Sequence, residues 1–136
     1  MKQGNNVVLD SSAVLALILR EPGGDEVAAL LSALDSGAAV RVALSSVSWC
    51  EILTRLYRDS STMTSQQLSA LLTDLELIPL TKSEAELAAD YSCAHPELSL
   101  GDRSCLALAS ARSATAWTTD RAWARAKIGV AVRILR

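Results

Sequence analysis

The chain has 136 residues, 50% of them hydrophobic, and a formal net charge of −2, which fits one domain predicted over residues 1–136. No apolar run reaches the roughly 18 residues of a membrane span, and Asp10 interrupts the apolar stretch that a secretory signal needs, so we expect a cytoplasmic protein without a membrane-spanning segment. Its cysteines are odd in number and widely spaced, which argues against a disulfide framework.

Strands and helices are predicted to alternate along the whole chain. Short apolar runs indicate strands, while Ser, Thr and Asp caps and the helical spacing of apolar residues indicate helices. The alternation predicts an α/β fold with a central, mainly parallel sheet and helices on both faces. In chain order the predicted elements are strand 7–9, helix 13–19 capped by Ser11 or Ser12, helix 26–34 capped by Asp25, strand 40–44, helix 45–58, helix 64–74, strand 77–80, helix 81–94, helix 103–112, strand 115–118, helix 120–127 and strand 130–135. Pro79 indicates an edge or a strand end for the strand 77–80.

An acidic side chain stands near the end of four of these elements. Asp10 directly follows the first strand, and Asp120 closes the strand 115–118. Glu51 lies early in the helix after the second strand, and Asp102 lies at the start of a helix. Taken singly, Asp102 and Asp120 would be helix N-caps. Because ligands of parallel α/β sheets bind beyond the carboxyl ends of the strands, we expect all four acids in one crevice.

Four crowded carboxylates stay ionised only with a cation among them. Oxygen ligands without His or Cys select hard ions such as Mg²⁺ or Mn²⁺, and such an ion can activate water against a phosphodiester without a nucleophilic side chain. The formal net charge of the chain is −2, so the residues other than these four acids carry a net charge of +2. Arg103 and Arg121, and also Arg125, lie near the acids in sequence and are candidates for phosphate contact.

The segments that carry these acids resemble the motifs of the PIN domain and, within it, of the VapC-like toxins of toxin–antitoxin pairs. They are VVLDSSAVL with Asp10, SSVSWCEIL with Glu51, LSLGDRSCLALA with Asp102 and TTDRAW with Asp120. Each motif is loose alone, but their order and spacing together are specific, and the match covers essentially the whole chain. The chain departs from the family at Gly101, where many relatives carry alanine, at Leu106, where some carry a further acid, and at Trp123, where phenylalanine is commoner.

The resemblance implies a PIN-like three-layer α/β/α fold with a sheet of about four or five strands. It implies a Mg²⁺- or Mn²⁺-dependent endoribonuclease that acts as a toxin, forms a homodimer, and is blocked by a VapB-like antitoxin in a heterotetramer or larger assembly. By this resemblance, the metal-site and catalytic residues are Asp10, Glu51, Asp102 and Asp120. Thr118 and Ser11 are the implied supporting residues, and Ser11 would orient Asp10. Arg103 and Arg121 are the implied RNA contacts.

Other functions remain open at this point. A phosphoacceptor receiver domain also has a magnesium-binding acidic pocket, but Asp10 lacks an acidic neighbour and Lys127 falls in a predicted helix. A PIN nuclease of RNA processing, a DNA nuclease of related fold and a degenerate, purely structural PIN domain are further alternatives. A dinucleotide-binding enzyme is disfavoured, because Gly23-Gly24 is a lone pair without the G-x-G-x-x-G pattern.

Overall fold

A computed structural model describes residues 6–136, so residues 1–5 of the predicted domain lie outside the described part of the chain. Within that part, one five-stranded sheet has the order β3-β2-β1-β4-β5, and every neighbouring pair is parallel. The predicted parallel α/β fold is thereby confirmed. The third strand, for which Pro79 indicated an edge or a strand end, lies at an edge of the sheet and ends just before Pro79. The strands are β1 (Asn6–Leu9), β2 (Arg41–Ser45), β3 (Glu76–Ile78), β4 (Thr115–Thr118) and β5 (Val132–Ile134).

Helices make the crossovers that parallel strands require. The short helix predicted over 120–127 is a 3-10 helix, Arg121–Arg125, which ends earlier than predicted. So short a segment gains few α-helical hydrogen bonds, which favours the tighter turn. The α-helices are α1 (Ser11–Ile18), α2 (Gly24–Asp35), α3 (Ser46–Arg58), α4 (Ser65–Leu71), α5 (Lys82–Ala94) and α6 (Leu100–Ala111).

The starts of two helices differ from their prediction. Helix α2 is capped by Gly23, in the left-handed region at φ 97°, and Asp25 lies in its first turn instead of capping it. The reason is close packing, because Gly24 lies against the backbone of Ala16 with no room for a Cβ. Helix α6 begins at Leu100, earlier than predicted, since Ser99 and Asp102 form the predicted capping box one turn upstream.

Each central strand contributes side chains to two separate cores. In β1, Val7 and Leu9 pack with α1 to α4 on one face, while Val8 packs with α5 and α6 on the other. In β2, Leu44 packs in the same core as Val7 and Leu9, and Ala43 packs in the same core as Val8. The period-two alternation of a strand thus produces the predicted three layers, and the sheet is buried on both sides.

The topology brings particular positions to one edge of the sheet. The neighbours β2, β1 and β4 run parallel, so their carboxyl ends meet at the same edge. Asp10 lies directly beyond β1, Asp120 lies just beyond β4, and α3 with Glu51 leaves from the end of β2. None of the helices in residues 6–136 combines the length and apolarity needed to cross a membrane.

Candidate functional site

Asp10 lies at the centre of the candidate site and is held by two hydroxyl groups. Its side chain is only 3% exposed, at the point where β1 ends and α1 begins. Ser12 Oγ donates to Oδ2 over 2.8 Å, and Thr118 Oγ1, at the end of β4, donates to the same oxygen over 3.0 Å. The other oxygen, Oδ1, is buried and has no partner within the described residues. One carboxylate oxygen is therefore fixed by the fold, and the other is available to a ligand.

Thr118 also orders the backbone that carries Asp120. Its Oγ1 accepts the Asp120 amide over 3.1 Å, while Ser12 Oγ accepts the Thr119 amide over 3.1 Å. Asp120 then caps the 3-10 helix through Oδ1, which accepts the Ala122 amide over 2.9 Å. The supporting position predicted for Thr118 agrees with this geometry. The hydroxyl on Asp10, however, belongs to Ser12.

Ser11, which was expected to orient Asp10, lies beside Glu51 instead and favours the ionised form of that carboxylate. The reason is helical geometry: Ser11 and Ser12 are consecutive on α1, and consecutive residues of a helix face directions about 100° apart. The Glu51 side chain is half-buried, and its Oε1 has no hydrogen-bond partner within the described residues. The carboxylate rests on Gly101 of α6, where an added Cβ would overlap both of its oxygens.

Asp102 occupies the first turn of α6. Its Oδ2 accepts the Ser99 amide over 3.0 Å, which completes the capping box. The indole of Trp123 lies beside this carboxylate and favours its ionised form, although Nε1 has no hydrogen-bond partner within residues 6–136. Trp123 is 1% exposed, in agreement with the core role predicted for it. Nothing in the sequence indicates that its polar edge lies beside Asp102.

The four acids form one electrostatic cluster. Burial raises the pKa of Asp10 to about 6, and Asp102 and Glu51 add to this against the opposing hydrogen bonds from Ser12 and Thr118. Burial also raises the pKa of Glu51, and Asp102 adds to it. The pKa of Asp102 is raised in the same way, with Asp120 as the contributing charge. Asp10, Glu51 and Asp102 thus lie within electrostatic range of one another, and Asp120 joins this cluster through Asp102.

Cys105 of α6 lies beneath this cluster. Its thiol is fully buried. Burial raises its pKa well above the ordinary value, and the charges of Asp10, Asp102 and Glu51 raise it further. A neutral, buried thiol supplies no competing soft ligand at neutral pH, so the groups that face the crevice are oxygen donors.

The residues present fit a hard divalent cation in their chemistry. Two buried carboxylate oxygens, Asp10 Oδ1 and Glu51 Oε1, lack partners, and the donor set is entirely oxygen. The side chains are not fully converged, because residues 6–136 contain no group of three or more His, Cys, Asp or Glu arranged to hold a metal ion. Water molecules can supply the remaining ligands, because Mg²⁺ is commonly held by only one or two carboxylates and keeps several waters.

The two arginines expected to contact phosphate differ in their surroundings. Arg103 donates from Nη1 to the carbonyl of Ala88 over 2.9 Å and from Nε to that of Leu98 over 3.3 Å. Its guanidinium thus links α5 to the loop before α6 and has fewer donors left for phosphate, and the phosphate contact expected for it stays a prediction. Arg121 is exposed and lines a hollow of about 340 Å³ with Thr119 and Arg136. Arg121 therefore remains a candidate.

The family model of the PIN domain matches residues 7–129. No curated protein matches the chain significantly. Among solved structures, the fold is similar to a chain of VapBC2 from Rickettsia felis bound to a DNA fragment from its promoter, with 17% identity, a TM-score of 0.74 and coverage of 96% of this chain and 99% of that chain.

Two other solved structures show the same fold over almost their full length. A chain of VapBC-1 from nontypeable Haemophilus influenzae has 12% identity and a TM-score of 0.70, with coverage of 95% of this chain and 97% of that one. A chain of the toxin–antitoxin system VapBC-5 from Mycobacterium tuberculosis has 22% identity and a TM-score of 0.59, with coverage of 97% and 98%. At these identities the likeness establishes the fold. The family match leaves the phosphoacceptor receiver without support.

Proposed function

The chain belongs to the PIN domain family, and on that basis we propose that it is an endoribonuclease that depends on Mg²⁺ or Mn²⁺. The observation that carries the proposal is the meeting of Asp10, Glu51, Asp102 and Asp120 from four distant parts of the sequence in one electrostatic cluster. Buried carboxylates that raise one another's pKa are costly to ionise, and a divalent cation offsets this cost.

Asp10 and Asp102 are the most direct ligands in this proposal. Asp10 offers its unpartnered Oδ1, while Ser12 and Thr118 hold Oδ2 and so fix the direction of the carboxylate. Glu51 offers Oε1 from the other side of the crevice. When bound, the cation lowers the pKa of a water molecule and offsets charge that builds up on the scissile phosphate. Asp120, which is exposed at the end of β4, acts through water.

Arg121 follows Asp120 directly and supplies the positive charge that holds the substrate in this proposal. Its guanidinium is exposed, and a planar fork of donors can grip a phosphate through two hydrogen bonds. The acids themselves repel an RNA backbone, so binding depends on arginines at the rim of the site. Arg121 is therefore expected to affect RNA affinity more than the chemical step.

The direct test is cleavage of a structured RNA by the purified protein with Mg²⁺ or Mn²⁺. Asp10→Asn and Asp102→Asn should each lower the rate by about a thousandfold, the effect of losing several kcal/mol of charge stabilisation. Asp90→Asn, on the exposed face of α5, is the matched control and should leave the rate unchanged. Full activity of either site variant, or undiminished cleavage in EDTA, would overturn the proposal. DNA of the same sequence distinguishes an RNase from a DNA nuclease.

We also propose that the enzyme is the toxin of a toxin–antitoxin pair in the cytoplasm, forming a homodimer and a heterotetramer or larger assembly with a VapB-like antitoxin. The support is the similarity of its fold to chains of VapBC complexes. Expression of the chain alone should arrest bacterial growth, Asp10→Asn should abolish the arrest, and a short neighbouring gene should relieve it. Active nuclease that leaves growth unaffected would instead indicate a PIN nuclease of RNA processing.

A further inference from the structure

A hollow of about 300 Å³ lies on the exposed side of α3, directly beside Glu51. It is continuous with the candidate site, because Glu51 forms part of its wall. Two arginines stand in the same wall, although nothing in the sequence singled them out. The lining residues are Val47, Cys50, Glu51, Thr54, Arg55 and Arg58.

The spacing of these residues places positive charge at regular distances from the acid cluster. Arg55 and Arg58 follow Glu51 at i+4 and i+7, so all three share one strip of the helix. With a rise of 1.5 Å per residue, Arg58 lies about 10 Å along the helix axis from Glu51, and Arg55 lies between them. The strip therefore leads from the candidate metal ligand to the carboxyl end of α3.

Both guanidinium groups are accessible to a ligand. Arg58 is exposed and has no ion pair or side-chain hydrogen bond within residues 6–136. Arg55 pairs with Asp59 over 2.8 Å, and Glu21 also lies within electrostatic range of it. The Arg55–Asp59 pair is exposed on both sides, and such pairs contribute little to stability, so Arg55 can exchange its partner at small cost.

This hollow and the one lined by Arg121 lie at different ends of the row of acids. Glu51 belongs to the β2 side of the crevice and Asp120 to the β4 side, with Asp10 and β1 between them. Strands β2 and β4 are two strand spacings apart, so the two sides are separated by about 10 Å. A polyanion that crosses the strand ends thus meets arginine on both sides of the acids.

We propose that the α3 hollow is a second subsite for the substrate, in which Arg55 and Arg58 bind backbone phosphates of single-stranded RNA on the Glu51 side of the cut. The inference rests on the proposed nuclease function and adds the course of the RNA across the site. Arginine near a helix carboxyl end also favours the helix dipole. That effect alone does not place both arginines in one hollow with a candidate metal ligand.

Binding in EDTA tests this inference separately from cleavage. The probe is a fluorescein-labelled single-stranded RNA homopolymer, and its dissociation constant is measured by anisotropy over a series of salt concentrations. Arg58→Gln and Arg55→Gln keep a good helix former in α3. Arg41→Gln is the matched control, because it removes the same charge at the opposite, amino edge of the sheet, where Arg41 pairs with half-buried Glu76.

Each α3 variant should weaken binding about tenfold at low salt and reduce the salt slope by about 0.7, the contribution of one phosphate contact to a single strand. Arg41→Gln should change neither quantity. Unchanged RNA affinity in the double variant Arg55→Gln/Arg58→Gln, with its helix content intact by circular dichroism, would overturn the inference while leaving the nuclease proposal standing. A change in oligomeric state at unchanged RNA affinity would overturn it too, and would assign the hollow to a protein contact.

Conversely, an RNA that binds through α3 but is not cut with any divalent ion would remove the nuclease proposal and leave the subsite. Under cleavage conditions, the α3 variants should raise KM with kcat little changed, because the arginines bind the RNA equally before and during the reaction. Loss of kcat at unchanged KM would place these arginines at the reacting phosphate and contradict the subsite.

Discussion

The carboxylate of Glu51 rests directly on the backbone of Gly101, in the space that a side chain at residue 101 would occupy. The two residues come from different helices, α3 and α6, which pack against each other beside the acid cluster. Glycine at this position therefore determines where the Glu51 carboxylate can lie. The absence of a Cβ in the first turn of α6 thus has a direct consequence for the candidate site.

Gly101→Ala should keep the fold and move Glu51. The clash involves the end of a flexible side chain, and alanine is favoured over glycine in a helix by about 0.5–1 kcal/mol, so the free energy of unfolding should stay the same or rise. Affinity for Mn²⁺, measured by titration calorimetry, should fall several-fold because Glu51 loses its place. The double variant Gly101→Ala/Glu51→Asp, with a shorter acid, should recover part of this loss. Wild-type Mn²⁺ affinity in Gly101→Ala would show that this position of Glu51 is not needed.

Without divalent metal, Asp10→Asn should stabilise the protein at neutral pH. The pKa of Asp10 is raised by burial from 3.8 to about 6, so the folded state binds this proton more tightly than the unfolded state does. Stability is then greatest below pH 4 and falls as pH rises to 6. A shift of this size corresponds to about 3 kcal/mol. Urea unfolding of both proteins from pH 4 to 7 in EDTA measures it.

Added Mn²⁺ should reverse this order, because the cation stabilises the folded wild-type protein and has little to bind in Asp10→Asn. The stabilisation by Mn²⁺ should weaken as pH falls through about 6, since protonation of Asp10 competes with the metal. Equal stabilisation of both proteins by Mn²⁺ would mean that the ion binds elsewhere.

Ser12→Ala should affect the site more than Ser11→Ala. Ser12 Oγ donates to Asp10 and accepts the Thr119 amide, so its loss leaves Asp10 Oδ2 with Thr118 as its one remaining donor and leaves the Thr119 amide without that partner. We expect a cost of about 1–3 kcal/mol in unfolding free energy and weaker Mn²⁺ binding. Ser11→Ala, on the same helix turn, is the matched comparison. An equal or larger loss in Ser11→Ala would contradict the hydrogen bonds described for Ser12.

Arg103→Ala and Arg121→Ala should change different properties, the first the stability of the protein and the second its affinity for RNA. Arg103 binds the carbonyls of Ala88 and Leu98, so its removal should lower the free energy of unfolding by about 1–3 kcal/mol with RNA affinity unchanged. Arg121 is exposed, so its removal should leave stability unchanged and weaken RNA binding. Thermal unfolding and RNA anisotropy in EDTA give the two readouts. Loss of RNA affinity in a stable Arg103→Ala variant would instead support the substrate contact predicted for Arg103.

The proximity of the acids could be predicted from sequence because it depends on few facts. Short apolar strands that alternate with helices form a parallel sheet, and residues that follow neighbouring parallel strands meet at one edge. Asp10 and Asp120 are placed by that rule alone. Glu51 and Asp102 need only a helix that starts at the same edge, which the capping pattern around Ser99 indicates.

Finer details depended on packing that the sequence does not display. Which of Ser11 and Ser12 reaches Asp10 is decided by the rotation of α1 about its axis. The cap of α2 moved from Asp25 to Gly23 because α1 and α2 approach too closely for a Cβ at Gly24. Arg103 adjoins Asp102 in sequence, but its guanidinium reaches the carbonyls of Ala88 and Leu98, because neighbours on a helix point in different directions. Sequence adjacency was a poor guide in each case.

The hydrogen bond between Thr118 and Asp10 joins residues that are 108 positions apart in the chain. Strand β1 lies between β2 and β4, so it stays without one neighbour until β4 has been made. At synthesis rates of roughly 5–20 residues per second, the first strand leaves the ribosome several seconds before its last partner. A growing polypeptide therefore carries Asp10 with the Ser12 hydroxyl but without that of Thr118. Whatever chemistry the acids perform can begin only once translation of this chain is nearly finished.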